Sequence, residues 1–327
     1  MAPAVPSWRS PDLPLRLGIS SCLLGEEVRY DGGHQKDAYI TGVLGSCFTW
    51  VPVCPELEVG MGVPREPIRL VGEPAGPRLL GVESGTDHTA AMTDFARRRI
   101  AALRGQRLCG YILKRGSPSC GLEGVKRYRT PEAAPLRDGV GLFARALTET
   151  LPLLPVEEEG RLADPARRES FITRVFAYRR LAALRESGSR AAAVAEFHAA
   201  HEYLLLAHQP GAHARLGRLV AAVPRAPAEG WLDRYGELFM RALQAPATVR
   251  RHVNVLRHIA GCFTRRLRAA EKRELLGTIW DYGRGRVPLV VPITLLNHLA
   301  ARCDVGHLRD QVYLRPDPKE LMLRNHV

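Results

Sequence analysis

No CxxC pair occurs among the seven cysteines of this 327-residue chain, which removes the paired spacing that structural zinc sites use. A CxxxCxxC triplet of the kind used in radical chemistry is also missing. Seven is an odd number, and its members (22, 47, 54, 109, 120, 262, 303) are spread over a long chain. That argues against a disulfide framework and for metal or catalytic use of some of them. No apolar run is long enough to cross a bilayer, and the opening MAPAVPSWRSPDLP has prolines where a signal peptide needs a continuous apolar stretch. The sequence therefore predicts a disordered lead-in over 1–14 and a cytoplasmic protein with no membrane association and no stable protein partner. There is no internal repeat of fixed period, and no low-complexity tract beyond the first dozen residues.

What is present is enough for two packed domains: 46% of residues are hydrophobic and 25% charged. The formal net charge of +13 is unevenly placed. Residues 1–158 hold 19 Lys/Arg against 18 Asp/Glu, and residues 159–327 hold 28 against 16. The second half is the basic one, so a polyanion, nucleic acid before a membrane surface, is its expected partner. The bland alternative is an arginine-rich composition without a partner.

The first half alternates strand and helix. LRLGIS (15–20) and FTWVPV (48–53) are short apolar runs that break at Ser21-Cys22 and at Cys54, and both read as buried strands. Between them Asp37 caps a helix with Ile40, Val43, Leu44 and Cys47 on one face, which makes Cys47 a core residue. PIRLVG and PRLLGV flank EPAG as a hairpin. A helix over 87–103 turns Met92, Phe95, Ala96, Ile100 and Leu103 inward, and the strand LCGYILK (108–114) follows, burying Cys109. A last helix over 142–151 precedes a turn, LLPVEEEGRL. This order predicts a small doubly wound, Rossmann-like α/β domain over 15–158.

From Asp164 the pattern is helical almost throughout, an all-α domain assigned to 159–327. Asp164-Pro165 reads as an N-cap with Pro at the first helical position, after which Phe171, Val175, Tyr178 and Ala182 keep one face. Further helices are predicted at 189–207, 212–222, 231–243, 246–269, 270–281 and 288–302. Breaks fall at Pro210-Gly211, Pro224, Pro227, Pro246 and Gly283–Arg286. Cys262 and Cys303 lie on helical patterns and read as packing.

Three cysteines stand apart, because each sits just past a predicted strand in a turn: Cys22 in ISSCLLG, Cys54 in VPVCPELEVG and Cys120 in KRGSPSCG. Open parallel sheets gather ligands at the carboxyl ends of their strands, so three such turns could bring three thiols to one point. Three thiolates with an open position suit a catalytic zinc or a cubane iron-sulfur cluster, and the spacing alone leaves both open. Glu56 lies two residues past Cys54 on a turn stiffened by Pro55, where an acid could handle protons. Ser117 and Ser119 flank Pro118 and can donate hydrogen bonds to cluster or substrate sulfur. Ser21 precedes Cys22. Further on, Tyr30 can stack on a ring, Asp31 can accept from an amide edge, and Lys114 could orient the ring. His198, His201 and His208 form a second possible metal group, although histidines on a buried face are far commoner than ligands.

SSCLLGEEVRYDGG, VPVCPELEVGMGVPREPIRL, GYILKRGSPSCG and the trailing GLFARAL together resemble the thiouracil desulfurase (TudS) family over about residues 15–155. FAYRRL, FHAAHEYLLLAH, VPLVVPITLLNHL and DQVYLRPDPKELMLRN resemble the YbgA-type helical domain often fused after it. The pairing is similar to that of RudS-type tRNA 4-thiouridine desulfidases. The resemblance implies that Cys22, Cys54 and Cys120 bind a [4Fe-4S] cluster with an open fourth iron. It also implies that Glu56 and a serine, Ser117 or Ser119, handle protons, and that a thiolated pyrimidine in tRNA loses its sulfur by hydrolysis. Candidate RNA contacts are Arg250, Arg251, Arg265, Arg266, Arg268, Arg284 and Arg286, each equally readable as a solvated helix face. Rival readings are a desulfidase of free 2-thiouracil or other thiobases, a nucleic-acid-binding cluster sensor without catalysis, and a zinc hydrolase.

Overall fold

The computed structural model describes residues 14–187, 191–222, 230–315 and 321–326. The predicted lead-in up to residue 13 and the breaks at Pro224 and Pro227 lie outside the described residues. The chain divides into two compact units, one ending at Asp164 and the other beginning at Pro165. The first is α/β and the second helical, which is the fold class the sequence predicts.

In chain order the first unit runs β1 (Leu15–Ser20), β2 (Phe48–Val53), α1 (Pro55–Glu58), β3 (Ile68–Val71), β4 (Arg78–Gly81), α2 (Thr89–Arg104), β5 (Gly110–Leu113), β6 (Val125–Tyr128), β7 (Leu136–Gly139), α3 (Leu142–Thr150) and β8 (Val156–Glu158). One parallel sheet has the order β2-β1-β5-β8. β1 is central, and Leu17, Ile19, Ile112 and Leu113 are wholly buried, as a sheet covered on both faces requires. The chain moves from β1 to β2 on one side and returns to β5 on the other, so the order reverses beside β1. Open sheets form their binding crevices at such a reversal, outside the carboxyl ends of the strands.

Sequence periodicity located α2 well: Met92, Phe95, Ala96, Ile100 and Leu103 are its buried residues. The second sheet, β4-β3-β6-β7, is mixed, and only its β3–β4 hairpin was expected. β6 and β7 were missed because VKRY and LRDG are too polar to read as strands. β8 lies inside the stretch read as a turn. The segment after Asp37 is not one α-helix but a π-helical turn over Tyr39–Val43 followed by a 3₁₀ turn over Leu44–Ser46. Asp37 Oδ1 does accept from Ile40 N at 2.9 Å, and Ile40, Leu44 and Cys47 are buried, but the altered pitch leaves Val43 exposed.

The second unit comprises α4 (Pro165–Glu186), α5 (Ala191–Ala200), α6 (Glu202–His208), α7 (Pro210–Ala221), α8 (Trp231–Gln244), α9 (Val249–Gly261), α10 (Ala269–Gly283), α11 (Val290–Arg302) and α12 (Gly306–Arg309). The helix predicted over 189–207 is broken at His201 into α5 and α6. α4 buries Phe171 and Val175 as expected, then Phe176, Ala183 and Leu184, while Tyr178 and Ala182 are half-buried. The core is aromatic: Phe171, Phe197, Tyr235, Phe239, Phe263 and Tyr313 are fully enclosed. The histidines belong to it. His201 stacks on Phe197 with centroids 4.0 Å apart, His208 Nδ1 lies 2.7 Å from Ala245 O, and His252 Nδ1 lies 2.9 Å from the Tyr313 hydroxyl. Burial pushes His208 down to about 4 and His201 and His252 down to about 3, so all three are neutral core side chains near pH 7.

Candidate functional site

The three turn cysteines meet where the strand order reverses. Ser20 of β1 pairs in register with Val53 of β2, so Cys22 and Cys54 leave adjacent strands at the same level. Cys22 lies in a 3₁₀ turn over Ser21–Leu24, closed by Gly25 at φ 99°, a left-handed conformation that favours glycine. Cys54 is the N-cap of α1, with Pro55 at the first helical position. Cys120 ends the loop that follows β5, the strand on the other side of β1. All three line one cavity of about 460 Å³, together with Ser20, Ser21, Tyr30, Glu56, Lys114 and Ser117. Arg29, Gln35, Arg65 and Arg115 complete its polar lining.

Within the cavity Cys54 Sγ lies 3.6 Å from Glu56 Oε2 and 3.7 Å from Val28 O. Ser117 Oγ donates to Glu56 Oε1 at 3.3 Å and accepts from Ser119 N at 3.1 Å and Cys120 N at 3.0 Å. One hydroxyl thus ties the carboxylate to the backbone of the third cysteine. Burial raises the Cys22 thiol to about 11, against the opposing pull of the Lys114 cation. Burial and then the Glu56 charge raise Cys54 to about 12 and push Cys120 well above its ordinary value. Three buried thiols that resist ionisation need a strong cationic centre to become thiolates together. Among the described residues no three His, Cys, Asp or Glu side chains gather tightly enough to hold a single metal ion.

The two serines of SPSCG part company. Ser117 lines the cavity, whereas Ser119 is fully buried, does not line it, and its Oγ has no hydrogen-bond partner among the described residues. Ser119 instead caps α3, its carbonyl accepting from Phe143 N at 3.0 Å and Ala144 N at 3.1 Å. Asp31 does not line the cavity either; its Oδ1 accepts from Gly33 N at 3.1 Å and lies 3.5 Å from Arg29 Nε, so it shapes the turn. Tyr30 and Ser21 are in the lining, and Lys114 is there as a member of an ion pair with Glu159.

Sequence reading missed the residues that brace this arrangement. Ser20 Oγ accepts from Lys114 N at 3.0 Å, joining β1 to the end of β5. Three carboxylates outside the cavity each accept a backbone N–H of a cysteine-bearing segment. Glu58 takes Cys54 N at 3.3 Å, Glu158 takes Leu122 N at 2.8 Å, and Glu159 takes Arg115 N at 2.7 Å. Glu58 is itself held 3.1 Å from Arg99 Nε of α2. Gly121 and Gly141 let the Cys120 loop pack closely, since a Cβ on Gly141 would lie 2.8 Å from Cys120 N. The one signal for Glu158 and Glu159 was a run of three carboxylates directly behind the apolar LLPV.

In the helical unit the seven candidate arginines divide. Arg251 Nη1 donates to His208 O at 2.8 Å and Pro246 O at 3.0 Å, and Arg266 donates to Cys303 O, so these two hold tertiary structure. Arg250, Arg265, Arg268, Arg284 and Arg286 are exposed.

A family described as 2-thiouracil desulfurase matches residues 17–159, and a family of unknown function, DUF1722, matches residues 202–318. The uncharacterised protein YbgA of Escherichia coli K12 is 29% identical over 158 residues, covering 48% of this chain and 94% of YbgA. The uncharacterised YbbK of Bacillus subtilis 168 is 35% identical over 108 residues, covering 32% of this chain and 71% of YbbK. A solved structure of the [4Fe-4S]-dependent thiouracil desulfidase TudS aligns with a TM-score of 0.38 at 29% identity, over 46% of this chain and 93% of that one. The chain belongs to the 2-thiouracil desulfurase family, with a helical DUF1722 region following the α/β unit.

Proposed function

We propose that this protein removes sulfur from a thiolated pyrimidine in tRNA, turning 4-thiouridine into uridine by hydrolysis. The carrying observation is that three cysteine-bearing strand ends converge on one cavity containing a carboxylate, Glu56, hydrogen-bonded to Ser117. The family supplies the reaction class. The donor set, three buried thiols that enter one cavity from three strand ends, is the soft-ligand set an iron-sulfur cluster takes. A [4Fe-4S] cluster held by Cys22, Cys54 and Cys120 would supply one iron without a protein ligand, a thiophilic Lewis acid for the exocyclic sulfur.

The chain's own residues do the rest. Tyr30, exposed at the cavity edge, offers a face to the pyrimidine, and Lys114 and Ser21 offer donors to its polar edge. Glu56 accepts a proton from water as the water oxygen bonds to the ring carbon that carries sulfur. The carbon–sulfur bond then breaks and sulfur leaves as hydrosulfide, so carbonyl replaces thiocarbonyl with no net electron transfer. Ser117 keeps the carboxylate aimed by donating to the oxygen opposite the one beside Cys54. The basic helical half would grip tRNA phosphates, with Arg250, Arg265, Arg268, Arg284 and Arg286 among its exposed cations.

The test is anaerobic reconstitution with iron and sulfide, addition of thiolated bulk tRNA, and measurement of the near-ultraviolet absorbance of 4-thiouridine beside a Cys54→Ala control. Loss with the parent alone is expected. Consumption of free 2-thiouracil with intact tRNA thiolation would assign a free-base desulfidase. Tight tRNA binding with neither substrate consumed would assign a sensor.

A further inference from the structure

We infer that the exposed arginine–tryptophan stack at the end of α10 is a landing site for an unpaired nucleobase of RNA. Arg273, Leu276 and Trp280 recur at helical spacing along α10, Arg284 follows as its C-cap, and all four are exposed. Trp280 keeps 44% of its surface in solvent, although an indole of that size is ordinarily drawn into a core. The Arg284 guanidinium lies 4.2 Å from the indole centroid and that of Arg286 lies 4.7 Å from it. Gly285, at φ 68°, makes the turn that returns Arg286 to the ring, and Arg286 Nη1 is fixed 3.2 Å from Asp281 Oδ1. Arg284 has no carboxylate partner among the described residues.

This geometry suits a base with its phosphate. Stacking uses the faces of the guanidinium and indole groups and leaves the N–H edges of Arg284 free for phosphate oxygens, in a half of the chain with 28 Lys/Arg against 16 Asp/Glu. Every base has a π-face, so the platform tolerates any sequence, and single-stranded loops are where such faces are open. The inference rests on tRNA being the substrate, and names where the helical unit takes hold of it.

The experiment measures binding of full-length protein to labelled bulk tRNA and to a blunt RNA duplex across a salt series. Trp280→Ala is expected to weaken tRNA binding about ten- to a hundredfold with the salt slope unchanged and with duplex binding unaffected. Trp280→Phe, which keeps a stacking face, is expected to restore most of it. Arg284→Ala is expected to lower the salt slope by about 1. Unchanged tRNA affinity in Trp280→Ala overturns the inference. So does equal loss on tRNA and duplex, or a Trp280-dependent dimer in sedimentation with tRNA affinity intact. If the parent protein desulfurises tRNA while Trp280→Ala binds normally, only this inference fails. If the parent neither binds nor desulfurises tRNA, the proposed substrate fails with it.

Discussion

Ser117→Ala and Ser119→Ala, two residues apart in one loop, are expected to behave in opposite ways. The Ser117 hydroxyl makes three contacts: it donates to Glu56 and accepts from the backbone of Ser119 and Cys120. Truncation leaves two partly buried N–H groups without an acceptor, which costs about 1–3 kcal/mol of stability. It also removes the hydroxyl that donates to Glu56 Oε1, leaving the longer Cys54 Sγ contact to Oε2. General base catalysis contributes about 10²–10⁴-fold, so a loosened base should lower kcat about a hundredfold with KM changed little. Ser119 Oγ is fully buried and has no partner among the described residues, so its removal relieves an unmet desolvation cost and should leave stability equal or higher. The assay is steady-state loss of 4-thiouridine absorbance, normalised to iron content, beside thermal melts of both variants. If Ser119→Ala lost as much kcat per iron as Ser117→Ala, the assignment of the serine by its place in the cavity would be refuted.

Three further outcomes follow from the same geometry. Gly141→Ala places a Cβ against Cys120 N, and should cost about 1–3 kcal/mol and reduce iron bound on reconstitution, whereas full iron content would show that the loop yields without loss. Glu158→Ala leaves Leu122 N–H without its acceptor behind the Cys120 loop, so iron should be lost faster to a chelator than from the parent at equal thermal stability of the helical unit. Buried His201, His208 and His252 have values lowered below those of the unfolded chain, so their stabilisation is present above about pH 6.5 and is lost as pH falls toward about 4. Each should contribute a slope of about 1.4 kcal/mol per pH unit there, and denaturant midpoints that stayed flat between pH 6.5 and 5 would contradict this.

The sequence made the thiols legible for a local reason. LRLGIS and FTWVPV are short apolar runs that stop at a turn, and in a parallel sheet the residue after such a run lands at the carboxyl edge whatever the order of strands. What it could not show was which side chains close around that edge. Ser20 sits inside a strand, and its role depends on the register that sets Lys114 beside it. Glu158 acts from the end of β8 and Glu159 from the 3₁₀ turn directly after it, and β8 forms only because β5 offers an open edge to a segment that reads as a turn by itself. Ser117 and Ser119 are equivalent as residue types, and only the path of the loop separates a cavity hydroxyl from a buried one. In the helical unit the expected break at Pro210 is found, and the extra one at His201 has the same origin: there the ring packs edge-on against Phe239 of α8, centroids 5.2 Å apart, a tertiary contact.

The distribution of charge around the cavity ties these elements together. Among the lining residues Glu56 is the one carboxylate, while Arg29, Arg65, Lys114 and Arg115 supply cations. The other acids of the neighbourhood, Glu58, Glu158 and Glu159, stand behind the walls and spend their oxygens on backbone N–H groups and on Arg99 or Lys114. A carboxylate turned inward beside three thiols would raise their pKa values further, as Glu56 already does for Cys54 and Cys120. Turned outward, the same groups fix the segments that carry the sulfurs, and Glu159 raises Cys22 less than its ion-pair partner Lys114 lowers it. Glu56 is the exception, and the proposed hydrolysis gives it a reason: as the base for water it would offset its cost to the thiols, with Ser117 donating to its other oxygen to hold it still.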